Sequence, residues 1–132
     1  MSNFDIESLP VTIAYAGEVN RDGWQCDHWN VTINKTWHTE YFTGLGHRTK
    51  PKQQWATTRP VKPKIADIMY SLFLDAEAGD YNFSDWCDMF GYSDDSLKAL
   101  DIYRACTVTA KNIRKHFTVA EREAIQSIIQ DM

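Results

Sequence analysis

The sequence lacks paired cysteines and the short motifs that mark nucleotide sites. Its three cysteines, Cys26, Cys87 and Cys106, are odd in number and widely spaced, which argues against a disulfide framework and a CxxC site. Gly44-Leu45-Gly46 fits neither GxGxxG nor GxxxxGK[ST], the patterns that hold phosphates. Because no nucleophile is marked by a nearby base and acid, we predict neither enzymatic activity nor a cofactor.

The sequence also lacks a long apolar run. Its longest apolar stretch, residues 65–74, is interrupted by Asp67 and Ser71, whereas a membrane-spanning helix needs about 18 or more apolar residues in succession. The first eight residues carry Asp5 and Glu7 and lack the basic start and apolar core of a secretory signal. These features predict a cytoplasmic protein with reduced thiols.

One weak metal pattern is present. Cys26 and His28, with His38 across a predicted hairpin, supply the sulfur and nitrogen ligands that zinc takes. Structural zinc sites usually have paired, closely spaced ligands, so surface histidines on a hairpin are the simpler interpretation. We therefore predict no metal, and an enzyme or metalloprotein using these three residues remains an alternative.

Hydrophobic periodicity predicts an α+β fold, with an N-terminal three-stranded antiparallel sheet packed on three to four C-terminal helices. The 132 residues fit a single domain. Within it we predict a loose arm (1–10), the antiparallel sheet (11–46), a basic loop (47–63) and a helical part (64–132).

Alternating residues place the strands at 11–16, 28–34 and 37–43, with a loop at 17–23 and a hairpin turn at Asn34 and Lys35. Helical spacing places helices at 64–78, 85–90, 95–116 and from about 118 to 130. The predicted N-terminal caps are Asn82 or Ser84, Ser93 or Asp94, and Thr118; the predicted stops of the first two helices are Gly79 and Gly91.

Charge is segregated along the chain, although the net charge is only −4. Residues 47–64 contain six Lys or Arg and no acid, whereas residues 75–101 contain eight acids against Lys98 alone. Two solvated faces would explain this pattern, and so would a divided surface that docks a charged partner. The acidic partner-binding candidates are Asp85, Asp88, Asp94 and Asp95; the candidates in the basic loop are Arg48, Lys50 and Trp55.

Five tryptophans are many for this length. Most are expected in the core, and one or two exposed rings would mark a protein–protein contact. Trp24 and Trp55 are the candidates, because both lie in predicted loops. A basic loop that carries an aromatic ring is also typical of single-strand nucleic-acid binding, but the acidic sequence, with a pI near 5.5, disfavours a dedicated binder.

The segment Asn82–Ser96 (NFSDWCDMFGYSDDS), with Lys98-Ala99 and residues 103–106 (YRAC), resembles a pattern in short proteins of tailed bacteriophages and prophages. An upstream hairpin like residues 27–42, then a glycine pair and a histidine like residues 44–47, belongs to the same pattern. The resemblance spans roughly residues 26–115, and the segment after Phe117 departs from it. It implies a phage or prophage origin and localisation in the cytoplasm of a bacterial host.

Small phage proteins without catalytic motifs often bind a host protein, and anti-defence proteins, including anti-CRISPR proteins, form a large part of that class. The resemblance thus favours a non-enzymatic inhibitor that binds and blocks a host defence nucleoprotein complex such as a CRISPR effector. Its acidic helices would imitate nucleic acid, or its basic loop and Trp55 would contact a subunit. The alternative is a phage accessory protein that binds nucleic acid through the basic loop 47–64. We expect a monomer or homodimer without a membrane partner.

Overall fold

Apolar residues alternate with a period of two in the N-terminal part of the sequence and recur at helical spacing after residue 64. The strands and helices of the structure lie in the same two parts of the chain. The computed structural model describes residues 4–21, 23–44 and 60–132. In these ranges three strands precede four helices, so the predicted α+β class is confirmed. The strands are β1 (Val11–Arg21), β2 (Trp24–Ile33) and β3 (Trp37–Gly44); the helices are α1 (Ile65–Gly79), α2 (Phe83–Phe90), α3 (Leu97–His116) and α4 (Val119–Gln130).

The chain divides into two compact units of opposite charge. The helical unit combines Met1–Glu7 with Ala66–Met132, and the sheet unit is Ser8–Ile65. The sheet unit has eight Lys or Arg and four Asp or Glu, a net +4, whereas the helical unit has six and fourteen, a net −8. The single domain predicted over residues 1–132 stays a prediction.

The sheet is antiparallel with the order β1-β2-β3. Along β2, Trp29, Val31 and Ile33 are buried while Asn30 is exposed. This is the alternation that the sequence predicts, because successive strand residues point to opposite faces. The hairpin turn is also confirmed: Asn34 and Lys35 both have positive φ, 51° and 66°, between the paired residues Ile33 and Trp37.

The predicted loop at 17–23 is wrong, because β1 continues to Arg21 and β2 starts at Trp24. The register shifts between Tyr15 and Gly17, and Gly17 has a φ of 103°. This β-bulge lets the strand carry a glycine and continue. A glycine inside a strand pattern therefore indicated a bulge here and not the end of the strand.

The N-terminal arm is more ordered than predicted. Residues Ile6–Ser8 form a turn of 3₁₀ helix, and Ile6 and Leu9 are buried. The Glu7 carboxylate accepts a hydrogen bond of 2.9 Å from the backbone N–H of Ala66. That N–H lies in the first turn of α1, where backbone donors have no partner inside the helix. A residue 59 positions away in sequence thus satisfies the start of α1.

Helix caps agree with the sequence at two of three positions. Asn82 caps α2, and Thr118 caps α4 in a complete capping box with Glu121. Ser93 and Asp94 do not cap α3, which starts at Leu97 with Ser96 as its cap. The reason is a local turn, in which Ser93 accepts from the Ser96 N–H and its hydroxyl donates to Asp95.

Gly79 ends α1 as predicted, but for a different reason. A Cβ at this position would meet the carbonyl oxygen of Cys106 and lie 2.8 Å from the backbone nitrogen of Thr107. Glycine is therefore required because α1 and α3 approach closely here. Gly91, in contrast, caps α2 in the left-handed region at a φ of 74°, the usual role of a C-terminal glycine.

The long helix α3 buries one side of its C-terminal half. Cys106, Ala110, Ile113 and the C-cap Phe117 are buried there. At the start of α3, Leu97 is 79% exposed, whereas Ala99 is fully buried and packs with Trp86 and Cys87. Among the described residues no helix has both the length and the apolar character needed to cross a bilayer.

Candidate partner-binding site

The basic candidates cannot be placed. Arg48, Lys50 and Trp55 lie outside the described residues. Of the predicted basic loop the structure describes residues 60–63, which form no helix or strand; Lys62 is exposed there, as is Lys64 just beyond it. The site is therefore built from the acidic candidates, all of which are described.

The four acidic candidates lie on α2 and on the connection that follows it, and all are exposed. Asp85 and Asp88 are three residues apart in α2, so they share one face of the helix. Asp94 and Asp95 lie between α2 and α3. The four exposed carboxylates thus lie on α2 and on the connection between α2 and α3.

Two of these carboxylates also hold local structure. The Asp85 backbone N–H donates to Asn82 Oδ1 at 2.9 Å, and Asn82 Nδ2 donates to Asp85 Oδ2 at 3.0 Å. Asp95 accepts a hydrogen bond from the Ser93 hydroxyl. Because these groups are engaged in a cap and a turn, they are less suited than Asp88 and Asp94 to a contact with a partner.

Asp88 and Asp94 act on a common neighbour. The pKa of the buried Cys87 thiol is raised, first by burial and then by the negative charges of Asp94 and Asp88. Both carboxylates are therefore close enough to one sulfur atom to oppose its ionisation. We identify this pair as the centre of the acidic surface, defined by Asp85, Asp88, Asp94 and Asp95.

An apolar groove lies beside this surface. It has a volume of about 540 Å³ and is formed by the C-terminal half of α1, by α2 and by α3. Its lining residues are Leu74, Asp75, Glu77, Ala78, Tyr81, Trp86, Met89, Phe90, Tyr92, Ile102 and Cys106. The two charged residues among them are both acidic.

Trp86 organises the groove. Its ring packs on four aromatic neighbours, with ring centroids 5.1 Å away for Tyr92, 5.3 Å for Phe90, 5.7 Å for Tyr103 and 6.3 Å for Phe83. The side chain is 2% exposed, yet its indole N–H has no hydrogen-bond acceptor among the residues that the structure describes. A buried tryptophan N–H usually has a partner, so this donor is an exception.

Several lining residues remain in solvent. Met89 is 56% exposed, and Leu74 and Phe90 are each 48% exposed. These residues are not among the predicted site residues, which on α2 are the carboxylates of Asp85 and Asp88 alone. Four aromatic side chains within ten positions, at 83, 86, 90 and 92, were the available signal, because one short helix cannot bury rings on every side.

A second cleft in the helical unit has mixed charge. It has a volume of about 410 Å³ between α1, α3 and α4, and Glu77, Asp80, Arg114, Arg122 and Glu123 are among its lining residues. Arg114 bonds Asp80 at 3.0 Å. Since acids and bases neutralise each other here, this cleft does not select one sign of partner charge.

The metal alternative is not supported by strand register. His28 pairs with Phe42, and His38 pairs with Thr32, so the histidines share a face but lie four residues apart along the sheet. At 3.3–3.4 Å per residue this is about 13 Å, too far for one ion. Cys26 lies in β2. The described residues contain no group of three or more metal-ligating side chains.

The histidines have other neighbours. His28 stacks on Phe42 with centroids 4.7 Å apart, and its Nε2 lies 3.6 Å from Glu40 Oε1, too far for a hydrogen bond. Arg21 covers the same Phe42 ring at 3.9 Å. Trp24, the described tryptophan candidate, is 50% exposed as predicted, although it lies in β2 and not in a loop.

The opposite face of the sheet holds a buried acid. Asp27 is 6% exposed and accepts a 3.0 Å hydrogen bond from the Tyr15 hydroxyl. Burial raises the pKa of Tyr15, and the hydrogen bond and charge of Asp27 raise it further. The phenol therefore stays protonated and continues to donate to Asp27.

Comparison with known proteins adds no relative, because the chain matches no family model, no curated protein and no solved structure.

Proposed function

We propose that this chain is a phage-encoded, non-enzymatic inhibitor that binds and blocks a host defence nucleoprotein complex, with a CRISPR effector as the target class. The observation that carries the proposal is the concentration of exposed carboxylates on a helical unit of net charge −8. Proteins that hold nucleic acid present basic channels. An acidic protein surface competes for such a channel.

The acidic surface supplies the recognition. Asp88 and Asp94 provide two exposed charges that both oppose ionisation of the Cys87 thiol, while Asp85 and Asp95 are held by the α2 cap and the Ser93 turn. Such a surface imitates the regularly spaced charges of a nucleic-acid backbone and blocks the channel without any chemical step.

The test is a pull-down from lysate of a bacterial host that carries a CRISPR system, with the chain as bait and mass spectrometry as the readout. We expect a CRISPR subunit to be recovered with the native chain and lost with an Asp88→Asn, Asp94→Asn double variant. A Glu123→Gln, Asp131→Asn variant loses the same charge elsewhere on the helical unit and should recover the subunit as before. Recovery of no defence subunit by the native chain would refute the proposal.

A second candidate is a phage accessory protein that binds nucleic acid through residues 47–64. The observation favouring it is the net charge of +4 on the sheet unit, with Lys62 and Lys64 exposed in its described part. Such binding to random-sequence single-stranded DNA would weaken steeply as salt is raised. A Lys62→Gln, Lys64→Gln variant should then bind DNA less tightly. If the native chain binds no DNA, this second candidate is refuted and only the inhibitor proposal remains.

A further inference from the structure

We propose that the apolar groove between α1, α2 and α3 binds a basic, apolar peptide segment of a partner protein, in which Leu-, Phe- or Met-type side chains are flanked by Lys or Arg. This inference deepens the proposed function, on which it rests for the identity of the partner, because it assigns a protein segment to the groove beside the acidic surface. Three independent features of the groove specify this occupant.

The first feature is exposed apolar area. Met89, Phe90 and Leu74 are each about half exposed although they line the same concave surface. Monomeric proteins rarely leave a contiguous apolar patch of this kind uncovered unless it binds something. Methionine adapts to differently shaped apolar partners, and aromatic rings supply large contact areas with few rotatable bonds. The groove therefore suits apolar side chains of a peptide.

The second feature is the sign of the charge. Asp75 and Glu77 lie within the groove, and none of the described Lys or Arg residues lines it. Residues 75–101 around it carry eight acids and one lysine. Lys or Arg residues flanking an apolar anchor would pair with these carboxylates, whereas an acidic peptide would be repelled. Charge complementarity of this kind selects partners and speeds their association.

The third feature is an unused hydrogen-bond donor. The Trp86 indole N–H is buried among the lining residues and has no acceptor in residues 4–21, 23–44 or 60–132. A buried donor without a partner is costly. A peptide offers backbone carbonyl oxygens that its own structure does not use when it binds in an extended form. A bound segment whose carbonyl reaches the edge of the Trp86 ring would supply the missing acceptor.

Fluorescence anisotropy tests the inference with two synthetic peptides of about 12 residues, one of alternating Leu and Lys and one of alternating Leu and Glu. The full chain should bind the Lys peptide and not the Glu peptide. Met89→Arg, which adds repulsion and removes an apolar contact, should weaken Lys-peptide binding by about tenfold or more. Met132→Arg is the matched control, since Met132 is exposed to a similar extent, 58% against 56%, and does not line the groove.

A second measurement follows the donor directly. In ¹⁵N-labelled protein the five tryptophans give indole N–H resonances, and that of Trp86 is identified by its loss in Trp86→Phe. We expect this resonance to move downfield when the Lys peptide is added, as a hydrogen bond forms. Equal binding of both peptides, or an equal loss of Lys-peptide affinity in the Met89 and Met132 variants, would overturn the inference. A concentration-dependent dimer that Met89→Arg abolishes would also overturn it, because a second copy of the chain would then occupy the groove.

The two proposals fail separately. Recovery of a defence subunit in the pull-down without any binding of the Lys peptide would overturn the groove inference and leave the inhibitor proposal standing. Peptide binding that depends on Met89, with no defence subunit recovered, would support the groove and refute the inhibitor proposal.

Discussion

Single residues decide how closely the helices of this protein approach. Gly79 is the clearest example, because any side chain there would contact the backbone of Cys106 and Thr107 in α3. Backbone atoms cannot move aside as the end of a flexible side chain can. The residue therefore controls the packing of α1 on α3, although the sequence suggests only a helix stop.

Gly79→Ala should destabilise the protein by about 1–3 kcal/mol, the usual cost of overpacking a core. Without the clash the same change would stabilise a helix by up to about 1 kcal/mol. The sign of the change in unfolding free energy therefore shows whether the Cβ clashes with α3. The measurement is urea unfolding followed by circular dichroism. Gly44→Ala is the control and should be close to neutral, because a Cβ at Gly44 meets no atom of the described residues within 4 Å.

Asp75 gives the protein a pH-dependent residue at the groove. Burial raises its pKa above the ordinary value of 3.8, so the folded protein holds this proton more tightly than the unfolded chain. The stability linked to Asp75 is therefore fully present below pH 3.8 and is lost as the pH rises through the folded-state pKa. At neutral pH the ionised carboxylate costs stability.

Asp75→Asn should consequently raise the unfolding free energy at pH 7, and the gain should shrink as the pH falls towards 3.8. Chemical unfolding at several pH values measures this. Asp101→Asn, at an exposed position of α3, is the control for loss of one negative charge from the same unit. If the unfolding free energy of Asp75→Asn differs from that of the native chain by the same amount at every pH, the raised pKa of Asp75 is contradicted.

At the scale of elements, the sequence predicted most of the structure. Alternation at residues 28–34 and 37–43 located the central hairpin, and the pattern Thr118 to Glu121 located the start of α4. These signals are local, because the residues that form the sequence pattern are the same residues that form the strand or the helix cap. The sequence contains a further local signal for a hairpin at Asp22-Gly23, since Asp-Gly favours a two-residue hairpin loop. The prediction of one loop over residues 17–23 did not use this signal.

Other features were missed because the local pattern does not decide which of several pairings forms. The alternation at residues 11–16 does not by itself show that β1 continues past Gly17, because the continuation depends on pairing with β2. Ser96, and not Ser93, caps α3 because a turn occupies Ser93. The acidic half of the candidate site was predictable from composition, whereas the groove arises only when α1 and α3 meet beside α2.

The α4 capping box is testable as an element. Thr118 Oγ1 accepts from the Glu121 N–H at 3.1 Å, and the Glu121 carboxylate accepts from the Thr118 N–H at 2.9 Å. Thr118→Ala should destabilise the protein by about 1 kcal/mol, since loss of an N-cap costs about 0.5–2 kcal/mol. Thermal unfolding measures the change.

The control for that variant is Thr109→Ala. Thr109 lies inside α3, and its hydroxyl donates to the Ala105 carbonyl at 3.1 Å. Such a bond within a helix adds little, and alanine has the higher helix propensity. The Thr109 variant should therefore be neutral or slightly stabilised, and equal destabilisation of both variants would show that the cap has no special role.

On the scale of the whole molecule, charge separation dominates. One compact unit carries a net +4 and the other a net −8. A molecule with such a division is oriented by the electric field of a charged partner before contact. We therefore expect the acidic surface to govern mainly how fast the proposed complex forms.

An Asp88→Lys, Asp94→Lys variant should slow association with the defence complex by tenfold or more at low salt, with a smaller change in the dissociation rate. The difference from the native chain should shrink as salt is raised, because exposed charges are screened. Surface plasmon resonance at several salt concentrations gives both rates. A Glu123→Lys, Asp131→Lys variant has the same net charge and should associate nearly as fast as the native chain.

The hydrogen bond between Glu7 and Ala66 has a consequence for how this chain could be rearranged. The helical unit is interrupted in sequence by residues 8–65, yet the residues on either side of the interruption are joined by a hydrogen bond of 2.9 Å from the Ala66 N–H to the Glu7 side-chain carboxylate. Residues 8–65 thus leave the helical unit and return to it at the same point, as an inserted module does. A short glycine-serine linker between Glu7 and Ala66 would replace residues 8–65. A gene could therefore gain or lose the sheet unit without a change in the order or path of the helices.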